Sequence, residues 1–420
     1  MLDTKMNKTQ NLLGVAAIAL MLAFGALILQ TDALFLRLLL GVGLGYALTR
    51  SFLGFAGSVN RAYNGGSTRL MIVLMVMFVV TAIINAGFLY NSDLSQYDLW
   101  INPINWGLMI GGLMFGFGMT FSSCCASGVM TDLVTDLPRA GTTLIFFAMG
   151  VYLGFPLQSQ LPLISETVVS TSSYAGQGVF MPDLFGSGLM GYLGAILLTV
   201  VFAAIVVYLA KIYENKRRNS GTFYGIESEL EQDKVAQAGK GVVVQPFVLF
   251  SKQTYQKLFV TPWSMKAGAA MIVVIFTLML ATTQSGWGAS TPFGIWFGKA
   301  IMLLGASADS VASFADRPVA MFTSPFLEHQ ITVQNIGIVF GTLICVLLAG
   351  QFTFKCSYSA KQLMLFAMGG LFMGLGTRFA NGCNVGALYT PIANLSLSGW
   401  IFLVFLVAGG VLGNKAANRT

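Results

Sequence analysis

GGLFMGLGTRFANGCNVG, residues 369–386, repeats the pattern of GGLMFGFGMTFSSCCASG, residues 111–128. The pairing has no gap and one constant offset, 383 − 125 = 258. Gly111, Gly112, Leu113, Gly116, Gly118, Phe121, Cys125 and Gly128 fall on Gly369, Gly370, Leu371, Gly374, Gly376, Phe379, Cys383 and Gly386. The match resumes one residue out of step, where Gly150, Leu153 and Gly154 meet Gly409, Leu412 and Gly413. An apolar hairpin written twice, with one cysteine per copy in a glycine-rich break, points to a membrane transporter built from repeats.

Composition agrees. The 420 residues are 55% hydrophobic and only 9% charged, which no soluble globular class matches, and many apolar runs approach bilayer-spanning length. The expected fold is therefore an all-α polytopic membrane protein. The net charge of +7 does not suggest nucleic acid, because the basic residues cluster at span ends as the positive-inside pattern requires. None of the five cysteines forms a C-x-x-C pair and His329 is the single histidine, which argues against a zinc or haem site. No phosphate-binding G-x-x-x-x-G-K-[ST] loop is present. The sequence thus predicts neither a metal nor a cofactor, and a transporter rather than an enzyme.

Charge also gives a topology. Lys5 and Lys8 precede a retained first span, Arg50, Arg61 and Arg69 follow the second, and KIYENKRR closes the span at 188–210; all mark the cytoplasmic side. The loops at 91–105 and 157–187 carry acids and no Lys or Arg, so they read as outside. The chain divides into a first membrane half (1–211), a cytoplasmic linker and interfacial segment (212–264) and a second membrane half (265–420). The first part of the linker reads as flexible, whereas the stretches at 51–67 and 283–330 read as re-entrant or surface pieces. Both termini fall inside. The first hairpin then begins and ends outside and the second begins and ends inside. The two copies face opposite ways, as an inverted repeat with re-entrant, glycine-broken hairpins. Cys125 and Cys383 would sit on opposed breaks near the bilayer centre.

Unwound backbone survives in a membrane only where protein or a cavity covers it. A helix starting just after each cysteine would offer free N–H groups and a positive dipole end to an anion. The candidate substrate-binding residues are therefore Cys125 and Cys383 with their neighbours Ser123, Cys124, Ser127, Gly128, Asn381, Gly382, Asn384 and Gly386. Such glycines also serve plain helix packing, and such cysteines also serve as small apolar filler. The coincidence of cysteine, break and repeat favours function. Cys124 either assists or packs, Cys345 reads as filler, and Cys356 beside Lys355 stays open. Arg378, five residues before Cys383, is a functional candidate because a charge within a span is costly, the alternative being a structural ion pair.

At both cysteine motifs, and in the LSLSGW that follows the second, the chain resembles the YeeE/YedE family of sulfur-compound transporters. The resemblance implies thiosulfate uptake across the bacterial inner membrane through an hourglass-shaped, inverted-repeat bundle. It implies a relay of the anion by S–H···S hydrogen bonds, with those roles falling on Cys125 and Cys383. It further implies a cytoplasmic TusA-like or rhodanese-like sulfur acceptor. Two departures stand out. Gly54, in Arg50-Ser51-Phe52-Leu53-Gly54-Phe55, occupies a place where the family often has a cysteine, and Cys124 stands where glycine is usual. A selenium-compound transporter, or a membrane sulfurtransferase forming a cysteine persulfide, are the alternative readings.

Overall fold

The computed structural model describes residues 7–186, 188–238, 251–354 and 357–418. All regular structure among them is helical, with only isolated β-bridges besides. The bundle is built from α1 (Lys8–Ile28), α2 (Asp32–Arg50), α3 (Gly57–Gly65), α4 (Arg69–Leu89), α5 (Trp106–Ser122), α6 (Gly128–Thr135), α7 (Leu137–Gln160), α8 (Leu189–Asn219), α9 (Glu227–Ala238), α10 (Met265–Thr283), α11 (Thr291–Leu303), α12 (Gln330–Leu348), α13 (Ala360–Phe379) and α14 (Ser398–Ala417). Among the described residues nine helical segments are long and apolar enough to cross a bilayer. The starts follow local chemistry. The Asn105 side chain accepts from Leu108 N–H at α5, and Ser359 with Gln362 forms a reciprocal capping box at α13.

The repeated glycines explain how the halves meet. A Cβ on Gly111 would lie 2.6 Å from the Gly376 carbonyl oxygen, and one on Gly376 would lie 2.8 Å from that of Gly111. Gly118 and Gly369 approach in the same way, at 2.6 and 2.7 Å. Gly111 is the repeat equivalent of Gly369, and Gly118 of Gly376. Each contact is therefore the other with the copies exchanged, as in an isologous interface, and α5 runs antiparallel to α13. Two equivalent helices that run antiparallel in this way are related by a two-fold axis perpendicular to them.

The second arms obey the same exchange. α7 packs on α13 and α14 packs on α5. A Cβ on Gly374 would lie 2.3 Å from the Phe147 carbonyl oxygen, and one on Gly116 would lie 2.1 Å from that of Leu406. Gly150 meets the Leu371 carbonyl, and Gly409 meets that of Leu113. The one-residue slip read in the sequence is thus the true register of the second arms.

A second pair of interruptions surrounds the same axis. After α2 the chain turns through Phe52 at φ 53°, and after α10 through Gln284 at φ 54°. Gly54-Phe55 then corresponds to Gly286-Trp287. The Phe55 and Trp287 rings lie 6.0 Å apart, and both pack on Tyr389, at 6.1 and 6.3 Å. Each half therefore carries two breaks, the first followed by a short helix, α3 or α11.

The linker differs from the flexible coil expected. Helix α8 runs on to Asn219, and α9 is docked on the basic-loop face. Glu229 pairs with Arg61 at 3.4 Å and accepts from Ser67 Oγ, and Asp233 pairs with Arg69 at 2.7 Å. Gln232 Nε2 donates to the carbonyls of Ser51 and Trp263. These acids give an otherwise polar segment partners at the ends of α3 and α4. The later residues 239–250 lie outside the described set, so the surface placement expected for that stretch is described only from Ser251 onward.

If the glycine contacts set the bundle, Gly374→Leu and Gly116→Leu should each destabilise by about 1–3 kcal/mol or more, the usual range for overpacking. Gly87→Ala, whose Cβ would meet nothing within 4 Å, should be neutral or mildly stabilising. Thermal unfolding of the purified variants in detergent checks this, and equal midpoints for Gly374→Leu and Gly87→Ala would rule out backbone contact at that crossing.

Candidate functional site

The two cysteine breaks are built alike. Helix α5 ends at Ser122 and α13 at Phe379, and the residues that turn the chain out of the helix are equivalent: Ser123 at φ 56° and Asn381 at φ 58°. Both are exposed, while Cys124, Cys125 and Cys383 are buried, at 3%, 1% and 0% exposure. Past the cysteines the first new helical bond is also shared. Val129 N–H donates to the Cys125 carbonyl and Ala387 N–H to that of Cys383, at 2.7 and 2.6 Å. The helices that follow are α6 in the first half and a wide π turn, Asn384–Tyr389, in the second.

Around Cys383 the structure collects donors. Its sulfur lies beside the backbone N–H groups of Val385 and Gly386 and the Ser290 hydroxyl, with Cys125 and Arg378 within electrostatic range. Gly386 is required by space, because a Cβ there would lie 2.3 Å from the Trp100 ring, and its carbonyl accepts from Asn102 Nδ2 at 3.1 Å. Gly382 is equally constrained, 2.5 Å from the Gly386 carbonyl carbon. Gly128 is not, since its Cβ would make ordinary contacts. Asn384 donates to the Met119 thioether at 3.8 Å, and its buried Oδ1 has no partner. Around Cys125 the shell is simpler: its sulfur and the Ser127 hydroxyl are 3.4 Å apart.

Arg378 takes part in no ion pair among the described residues, so the structural-pair alternative is not what holds it. It is 5% exposed and reaches the hydroxyls of Ser290 and Thr291, both at 3.4 Å. Its guanidinium carbon lies 5.3 Å from the Phe155 ring centroid, and its buried Nε is unpartnered. Gly154 makes the space, because a Cβ there would be 2.6 Å from Arg378 Cγ. Arg378, Asn381, Ser290 and Thr291 line a polar cavity of about 380 Å³ on the acidic-loop side, together with Asp98 and Asn102. Ser290, Thr291 and Phe155 are absent from the sequence-based site. The signal for Ser290 and Thr291 was the alignment of LGFAGSV (53–59) with SGWGAST (285–291), which needs a different offset from that of the cysteines, and nothing comparable marked Phe155.

On the opposite side, Cys124 stands near a charged cluster. Arg139 pairs with Asp132 at 3.2 Å and Asp136 at 3.1 Å, and Tyr358 donates to Asp136 at 2.5 Å. Cys345 is buried within α12, within electrostatic range of Arg50 at the end of α2. Cys356 lies outside the described residues. Gly54 is half-buried, and a Cβ there would meet nothing within 4 Å, so a side chain at this place would enter open space.

Known proteins carry the same pattern. The profile of the family described as "Sulphur transport" matches residues 50–412, which takes in both cysteine breaks and most of the chain. The chain is similar to the protein named "Thiosulfate transporter TsuA" of Spirochaeta thermophila, 22% identical over 77% of this chain and 81% of that protein. It is similar to the protein of the same name in Escherichia coli, 23% identical over 89% and 91% of the two chains. A "Probable transporter YedE" of Escherichia coli matches at 28% identity over 36% of this chain and 39% of its own length. Since the profile runs unbroken from the first interruption of the fold to its last helix, this chain belongs to the YeeE/YedE family of sulphur-compound transporters.

Proposed function

We propose that this protein takes up thiosulfate across the bacterial inner membrane, passing it from Cys383 to Cys125. The observation that carries the reading is the surrounding of Cys383. A buried thiol has two backbone N–H groups and the Ser290 hydroxyl beside it, and Ser290 with Thr291 and Arg378, which has no ion pair among the described residues, lines a polar cavity. That set fits an anion with one hard and one soft end. Arg378, Ser290 and Thr291 would hold the oxygens, while the Cys383 S–H would donate weakly to the terminal sulfur. Cys125, on the equivalent break, would receive it next. Sites that bind weakly and in series allow passage, because a site that binds too tightly does not release. The names of the full-length relatives support thiosulfate over a selenium compound.

The acidic loops that frame the cavity favour it as the outer mouth, with both termini inside. Carrying a dianion inward against 100 mV costs roughly 4–5 kcal/mol, at about 2.3 kcal/mol per charge. Consumption by a cytoplasmic sulfur acceptor of the TusA or rhodanese kind would offset it by keeping the inner concentration low. Cys124, Ser123 and the Arg139 cluster would line the way out.

Two results test this. In a cysteine-requiring host without its own sulfate and thiosulfate uptake, the wild-type chain should restore growth on thiosulfate, and Cys125→Ala and Cys383→Ala, equally expressed, should not. Growth with both variants would make the thiols packing residues, whereas a persulfide mass on either cysteine after exposure to thiosulfate would favour sulfur transfer. In a chain otherwise free of cysteine, Asn381→Cys should react in intact cells with a membrane-impermeant maleimide and be protected by thiosulfate. Labelling of Ser123→Cys instead would reverse the orientation.

A further inference from the structure

Beside the first cavity lies a second, of about 510 Å³, that shares Thr291, Arg378 and Asn381 with it and adds Phe155, Gln158 and Arg317. Arg317 comes from the segment between α11 and α12 and is half-buried. Its Nη2 donates to Gln158 Oε1 at 2.8 Å, and Gln158 in turn bonds Asn381. Its guanidinium carbon lies 5.3 Å from the centroid of Phe155, the same distance and the same ring as for Arg378. Among the described residues neither arginine has a carboxylate within salt-bridge distance. The acid that lines the neighbouring cavity, Asp98, accepts from Trp100 Nε1 at 2.8 Å.

Two cations held against one ring repel each other, and burial strengthens the repulsion. Packing alone does not call for that arrangement, since a neutral side chain would fill the space without it. The buried Nε of Arg378 has no hydrogen-bond partner, and both guanidiniums line the cavity with no carboxylate paired to them among the described residues. We propose that Arg317 and Arg378 form a capture site for a divalent tetrahedral oxyanion at the mouth of the pathway, with Phe155 as the spacer that sets their separation. This site takes its ligand by charge and oxygen geometry, before any thiol is met. It rests on the reading above only in that the captured ion is then passed to Cys383. Sulfate and thiosulfate should both enter it, so selection between them falls to the cysteines further in, while monovalent ions are rejected at the mouth. Arg378 serves both steps, and Arg317 serves capture alone.

The test is direct binding to the purified full-length chain at fixed ionic strength, with radiolabelled sulfate and thiosulfate as probes and thiocyanate, monovalent but with a terminal sulfur, as competitor. Wild type should bind both divalent ions and be indifferent to thiocyanate. Arg317→Gln should weaken both by roughly tenfold or more, as expected for loss of a charge-assisted contact, and Arg317→Lys should recover part of the loss if it stays monodisperse. Unchanged affinity for both ions in Arg317→Gln would overturn the proposal, as would thiosulfate binding that thiocyanate displaces. Binding of sulfate that depends on Arg317, with no binding of thiosulfate, would leave the dianion site standing and remove thiosulfate as the substrate.

Discussion

Backbone-to-backbone contact between α5 and α13 is the constraint on which the rest depends. In a bilayer the lipid tails are as apolar as leucine, so burying apolar surface gives helices little reason to associate, and close approach of small residues must do it. Glycines at 111, 118, 369 and 376 remove the side chains that would hold these helices at the usual 8–10 Å axial separation. Because the same four positions make two copies of one contact, the crossing also fixes the two-fold axis. Everything near that axis, from the Phe55–Trp287 pair to the cysteine breaks, is placed by it.

On this symmetric frame the chemistry is not symmetric. The positions match in backbone, down to the left-handed residue two before Cys125 and Cys383, but the side chains diverge. Arg378 faces Thr120 across the repeat, Gly382 faces Cys124, and Asn381 faces Ser123. Among the described residues one mouth thus carries arginines with no ion pair, while the other carries an arginine already engaged by two carboxylates, Asp132 and Asp136. Duplication supplied two equivalent breaks, and substitution gave them different polar and charged neighbours.

How much of this was legible in the sequence follows from what each feature needs. The helical membrane class, the two copies of the hairpin and the cysteine register all rest on local pattern, and a gapless repeat of glycines carries that pattern openly. Arg378 stood out because a charge in an apolar run is costly wherever it lies. The partners of Cys383 were hidden for a different reason. Ser290 and Thr291 are ordinary residues brought to the cysteine only by the second pair of breaks, and LGFAGSV and SGWGAST share only a glycine before an aromatic ring and the serine at 58 and 290. The helix α9 was misread because charged, glycine-flanked segments look flexible until their acids are known to face Arg61 and Arg69.

The two offsets of the repeat measure something else. The first breaks differ by 284 − 52 = 232 residues and the cysteines by 383 − 125 = 258, so the second half holds 26 residues more between them. That surplus falls in the stretch joining α11 to α12, which is the stretch that delivers Arg317. An insertion there leaves the glycine crossings untouched and builds one mouth, with Val311 and Phe322 anchoring it on the core. The molecule therefore separates an inherited engine from a replaceable collar. Lineages could exchange the collar, and engineers could graft another, to change which ions are admitted without redesigning the machinery that moves them.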